Sequence, residues 1–74
     1  MSGESAFVVA GSVVEVTVSG LLRVELANGH QLLGHVAKRQ RARVARVPVG
    51  ATVMVKLSPG DLSHGQVMLN EENL

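Results

Sequence analysis

Seventy-four residues leave room for one domain, and a chain this short buries only about 60% of the surface its unfolded state exposes. Without a single cysteine, neither a disulfide nor a thiolate metal site can add to that thin margin, and the composition points to a reducing, intracellular setting. The net charge of +1 says nothing about partners until its distribution is considered, and the 46% hydrophobic content lies in the globular range and argues against a disordered tail.

Phe7 is the only aromatic residue, so the core has to be built from Val, Leu, Ala and Met. No apolar run approaches the roughly 20 residues of a membrane-spanning helix. The first residues carry Glu4 and no basic stretch, unlike a signal peptide. Residues 1–5 read as a flexible leader, 6–70 as a single domain and 71–74 as an acidic tail.

From Phe7 to Val18 the chain is rich in valine with Gly11 in the middle, the pattern of a long strand with a bulge or bend at the glycine. Such a strand can pair in both halves of a small barrel. Ser19-Gly20 reads as a turn. Leu22, Val24 and Leu26 alternate with Arg23 and Glu25, the period of a half-buried strand. Asn28-Gly29 is a strong hairpin signal and, as a two-residue type I′ turn, sets Val24 opposite Leu33 and Arg23 opposite Gly34. That register turns Leu33 to the core and leaves Leu32 beside Arg23 and Glu25, unless a bulge shifts the pairing or Leu32 packs on a second face.

Residues 37–43 are good helix formers and read as a short helix or a loop, resting on the barrel through Ala37 and Val44 and ended by Pro48. Val53, Val55 and Leu57 alternate with Thr52, Met54 and Lys56 in a fourth strand. Ser58-Pro59-Gly60-Asp61 has Pro and Gly where a type II turn takes them, and Val67 and Leu69 mark a fifth strand. Three strands, a connector and two more strands describe an all-β, five-stranded OB-fold barrel with a short helix or loop between strands 3 and 4. A split-sheet SH3-like barrel is the competing architecture. Val13, Leu22, Val24, Leu26, Leu33, Val53, Val55 and Val67 are the expected interior.

Five of the seven cations, Lys38, Arg39, Arg41, Arg43 and Arg46, lie within nine residues, and all six acids lie elsewhere. A solvated surface connector is the ordinary meaning of such a run. Here the absence of compensating acids and the excess of arginine, whose planar fork suits bidentate contact with phosphate, point to nucleic acid. The contact is to phosphates and carries no sequence readout. His30, His35 and His64 are too dispersed to bind a metal, and no cofactor is called for. The chain has no nucleophile elbow, phosphate-cradling glycine loop or HExxH motif, and Glu15 and Glu25 read as solvent-facing strand carboxylates, so an enzyme is not expected.

Two blocks, Arg23-Val24-Glu25-Leu26-Ala27-Asn28-Gly29-His30 and Ser58-Pro59-Gly60-Asp61-Leu62-Ser63-His64-Gly65, resemble bacterial translation initiation factor 1 at this spacing. Gly11-Ser12-Val13 with Glu15, His35-Val36, the basic connector and Gly50 extend the resemblance over most of the chain. It implies an OB-fold that binds rRNA in the A site of the small ribosomal subunit and works with initiation factors two and three, as a cytoplasmic monomer. It carries RNA contact onto Lys38, Arg39, Arg41, Arg43 and Arg46, with Arg23 and His30 as further candidates. The sequence departs from the family in its acidic Glu71-Glu72 tail and in Val44 and Gly60, where an aromatic is common. Both departures remove RNA affinity, so a divergent paralogue acting as an RNA chaperone and a small protein-interaction barrel are the alternatives.

Overall fold

The computed structural model describes residues 6–69. The expected leader at 1–5 and the acidic tail at 71–74 lie outside the described residues. Five strands, β1 (Phe7–Val16), β2 (Leu22–Leu26), β3 (Gln31–His35), β4 (Thr52–Ser58) and β5 (Asp61–Met68), are interrupted once, between β3 and β4, by a 3-10 helix over Lys38–Arg46, here η1. The sheet closes in the order β1-β2-β3-β5-β4, with β3 and β5 parallel and every other pair antiparallel. This is the OB-fold.

β1 serves both halves of the barrel, as its length suggests. Phe7–Ser12 pair with β4 and Gly11–Val16 with β2, so Gly11 and Ser12 have a strand on each side. The bulge is not at Gly11, however. The register with β2 slips between Val13 and Glu15, which places the extra residue at Val14. Gly11 is needed for space: a Cβ there would run into the Val24 side chain and lie 3.1 Å from Leu26 Cδ2.

The β2–β3 hairpin corrects the two-residue turn. Leu26 N–H donates to His30 O at 2.8 Å and Gly29 N–H to Leu26 O at 2.9 Å, enclosing three residues. Only Gly29 adopts positive φ, at 89°, whereas a type I′ turn would demand it of Asn28 as well. Asn28 instead keeps negative φ and accepts the His30 N–H on Oδ1 at 3.0 Å. The added residue moves Val24 opposite Leu32 and Arg23 opposite Leu33. A one-residue slip exchanges the faces of a strand. Leu32 is therefore buried, and Leu33, expected inside, is half-buried on the outer wall.

Of the expected interior, Val13, Leu22, Val24, Val53, Val55 and Val67 are fully buried, while Leu26 packs against the core from the barrel's mouth. Val36, Val44, Val47 and Leu69 extend the core beneath η1. The turn at Pro59-Gly60 is not type II either, because Gly60 has negative φ. Turns with negative φ at both central positions splay a hairpin, and the β4–β5 register is displaced between Lys56 and Ser58 beside it.

Val24 lies against Gly11 at the centre of this core and is wholly inaccessible. Truncation to alanine should lower unfolding free energy by roughly 1–3 kcal/mol, from lost burial and a residual cavity. Urea denaturation of Val24→Ala against the parent chain measures it; an unchanged midpoint would contradict the packing.

Candidate nucleic-acid interface

Only the interior row of η1 has apolar residues able to fix it to the barrel. In a 3-10 helix, positions three apart share a face. Lys38, Arg41, Val44 and the following Val47 form one row, and Val44 and Val47 are buried. Gln40, Arg43 and Arg46 form a second row, tied down by Gln40 Nε2 donating to Leu69 O at 2.9 Å. The third row, Arg39, Ala42 and Ala45, is exposed. Val47 N–H returns to Val44 O at 3.1 Å, after which Pro48 leads into the turn at Gly50, φ 97°.

All five connector cations are exposed, and none forms an ion pair among the described residues. At about 2.0 Å of rise per residue, they occupy roughly 16 Å of one short helix. Anchored by buried valines on one short helix, they form a compact cluster of positive charge, not a run dispersed along a loop.

The other two sequence candidates lie apart from them. Arg23 projects from the β2 wall, where Nε donates to Glu15 Oε1 at 3.2 Å, so its charge is already opposed. His30 sits at the far end of β3 from η1, and its Nε2 contacts Leu62 O at 2.8 Å. A carbonyl only accepts, so His30 Nε2 carries the proton of that bond. His30 thus ties the β2–β3 hairpin to the β4–β5 arm.

Neither His35 nor Lys56 is among the RNA-contact candidates of the sequence, yet both are exposed on the outer wall. The register places both beside Gln66, one on β3 and one on β4, about 10 Å apart across two inter-strand spacings. They border a shallow cleft of about 300 Å³ that Asp61 and His64 also line. The outward phase of Lys56 in β4 was the available cue. Only the β3–β5 pairing, invisible in the sequence, brings His35 next to it.

At the tip of the arm, Ser63 donates through its hydroxyl and its backbone N–H to Asp61 Oδ1, at 2.8 and 3.1 Å. With that hydroxyl proton on Asp61, Ser63 Oγ accepts from His64 Nδ1 at 3.0 Å. Among the described residues no three His, Cys, Asp or Glu side chains are grouped to hold a metal.

A barrel closed by parallel β3 and β5, with a basic helix between β3 and β4, can now be compared with known proteins. It resembles translation initiation factor 1. The solution structure of that factor from the Wolbachia endosymbiont strain TRS of Brugia malayi superposes with a TM-score of 0.67. It is 28% identical and matches 89% of this chain and 80% of its own. No protein-family model matches the sequence. The resemblance that the two sequence blocks carried is therefore present in the three-dimensional fold as well.

The hydrogen bonds from Ser63, side chain first and backbone second, hold the Asp61 carboxyl below its ordinary pKa. A lowered folded-state value means that these bonds are intact above the usual aspartate range and lost as pH falls below it. The Ser63 amide proton shift should titrate with a midpoint below the ordinary value of about 3.9. Titration by NMR tests this, and a midpoint at or above the ordinary value would contradict the bonding.

Proposed function

We propose that this protein is a translation initiation factor that binds ribosomal RNA in the A site of the small ribosomal subunit. The barrel acts as a plug and η1 as the clamp on phosphates. The observation that carries this reading is the cluster of five exposed cations on η1, without an ion pair among the described residues, borne by a barrel similar to translation initiation factor 1. Its partners are the small subunit and initiation factors two and three, and it acts as a cytoplasmic monomer.

Recognition by this surface is electrostatic. Proteins that bind unpaired RNA through small barrels commonly stack bases on exposed aromatic rings. The single aromatic here, Phe7, sits at the mouth of the barrel beside Leu62, away from η1. This weighs against the RNA-chaperone reading and in favour of a structured, phosphate-dense target. His35 and Lys56 are the residues placed to extend contact from η1 along the wall of β3, β5 and β4.

Phosphate contact releases condensed counterions, so affinity falls with salt in proportion to the number of phosphates neutralised. With three to five cations engaged, log K for isolated small subunits against log salt should have a slope of roughly −2 to −4. Replacing two of Arg39, Arg41 and Arg43 by Ala should flatten it by about one to two units. Co-sedimentation over a salt series is the measurement. A salt-independent affinity removes η1 as the clamp, and equal binding to unstructured RNA restores the chaperone reading.

Glu71 and Glu72 carry negative charge where similar proteins are basic. Replacing both by Arg should tighten binding at low salt, with a gain that shrinks as exposed charges are screened over about 8 Å at physiological ionic strength. Weaker binding of Glu71→Arg/Glu72→Arg in the same co-sedimentation would make the acidic tail a contact surface and favour a protein partner.

A further inference from the structure

β1 changes partners at Gly11 and Ser12, and the change leaves part of it unpaired. Before Gly11, Phe7–Ala10 pair with β4 alone; the register with β2 begins only at the Gly11–Leu26 pair. Beyond Leu26 the chain turns into the Ala27-Asn28-Gly29 loop and cannot follow β1 further. On the side away from β4, residues 7–10 therefore meet no strand among the described residues. Along Phe7–Ala10 the closed barrel thus keeps a short stretch of open edge among the described residues.

The surface beside that edge is concave. Three clefts of about 270, 340 and 460 Å³ lie along it, and Leu26 lines all of them. Phe7, Val9, Leu57 and Leu62 make the end nearest the barrel's mouth apolar, and Phe7 and Leu62 are 39% and 45% exposed. The His30–Leu62 hydrogen bond closes that end. At the other end stands Glu25, and no Lys or Arg lines any of the three. A phosphate chain finds no cation here and meets a carboxylate.

An extended polypeptide fits what is present. A free strand edge offers donors and acceptors that recur every second residue, about 6.7 Å apart, the spacing of another strand. A strand laid along Phe7–Ala10 would turn alternate side chains inward over Val9 and Leu26. The others would lie outward near Val8 and Met54, which are 47% and 39% exposed. Glu25 favours a cation at that end of the strand. We propose that the open edge of β1 over Phe7–Ala10 docks an extended segment of a protein partner, one with alternating apolar residues and a Lys or Arg that reaches Glu25. Four residues of edge support a weak, reversible contact, separate from the phosphate surface of η1.

The test uses the whole chain, isotope-labelled, and an acetylated heptapeptide of alternating valine and threonine with a lysine at one end. Titration to about 2 mM should shift the amides of Val8–Ala10 and Leu26–Asn28. Alternate amides of a strand point in opposite directions, so only one set can pair with β1. Of two peptides N-methylated on the valine or on the threonine amides, one should therefore lose about tenfold in affinity and the other should not. Glu25→Gln should weaken the lysine peptide about threefold and leave a glutamine counterpart unchanged. The proposal is overturned if no shift occurs, if the shifts fall elsewhere or if both methylated peptides bind alike. A single-stranded RNA that shifts the same amides would make nucleic acid the occupant. Concentration-dependent shifts of the free protein there would make it a second copy of this chain.

Discussion

Closure of the barrel between β3 and β5 is the constraint on which the rest depends. It is made by only three register pairs, Leu33 with His64, Gly34 with Gly65 and His35 with Gln66. The central pair has no side chains, and the space is filled from elsewhere. A Cβ on Gly34 would strike Val67, and one on Gly65 would come within 2.6 Å of Val55 and 2.8 Å of Leu57. In a core that has one aromatic residue at its rim, close backbone approach replaces the volume that large side chains supply in other small proteins. The two glycines make room at the seam for Val67 of β5 and for Val55 and Leu57 of the neighbouring β4, and the seam removes the edges that an open sheet would expose.

The same closure fixes the charged surface. β3 must leave the seam at His35 and return as β4 on the far side of β5, so the connector has to cross the end of the barrel. Val36, Val44, Val47 and Leu69 turn that crossing into a lid over the core. Burial of Val44 and Val47 fixes η1 to the barrel, and all five of its cations remain exposed. Their mutual repulsion opposes folding, and the valines beneath offset it. Such a surface, without an ion pair among the described residues, is the kind that a dense array of negative charge would stabilise, which is the basis of the proposed function.

Much of this is legible in the residues. Alternation locates β2, β4 and most of the core, and the strand-connector-strand order leads to the barrel. The departures share one cause. Asn28-Gly29 and Pro59-Gly60 favour particular turn types as dipeptides, but a third loop residue at Ala27 and a negative φ at Gly60 are chosen by the strands on either side. The consequence is a shifted register of β3, hence the exchange of Leu32 and Leu33. Gly11 suggests a bulge because glycine is permissive, whereas its neighbours across the sheet, Val24 and Leu26, require its smallness. Sequence resolves periodicity within a strand; the distance to the next strand is a property of the whole barrel. The site divides in the same way. A cluster contiguous in sequence remains a cluster on η1, while Arg23 is taken up by Glu15 and His30 by Leu62, partners that only the sheet brings close.

The two ends of the barrel consequently differ in kind. The η1 end is lidded and positively charged; the end formed by Phe7, Leu26 and Leu62 is open, apolar and free of Lys and Arg along its clefts. β1 is the element responsible for both. Its second half must join β2 to close the wall that supports η1, and its bulge at Val14 turns the strand toward it. Its first half, committed to β4, then separates from the β2–β3 hairpin. An OB barrel of this size with a five-residue β2 cannot pair all of a ten-residue β1. The open edge is thus a consequence of the strand lengths, and the residues placed along it, apolar with one carboxylate, make it unsuited to an anion.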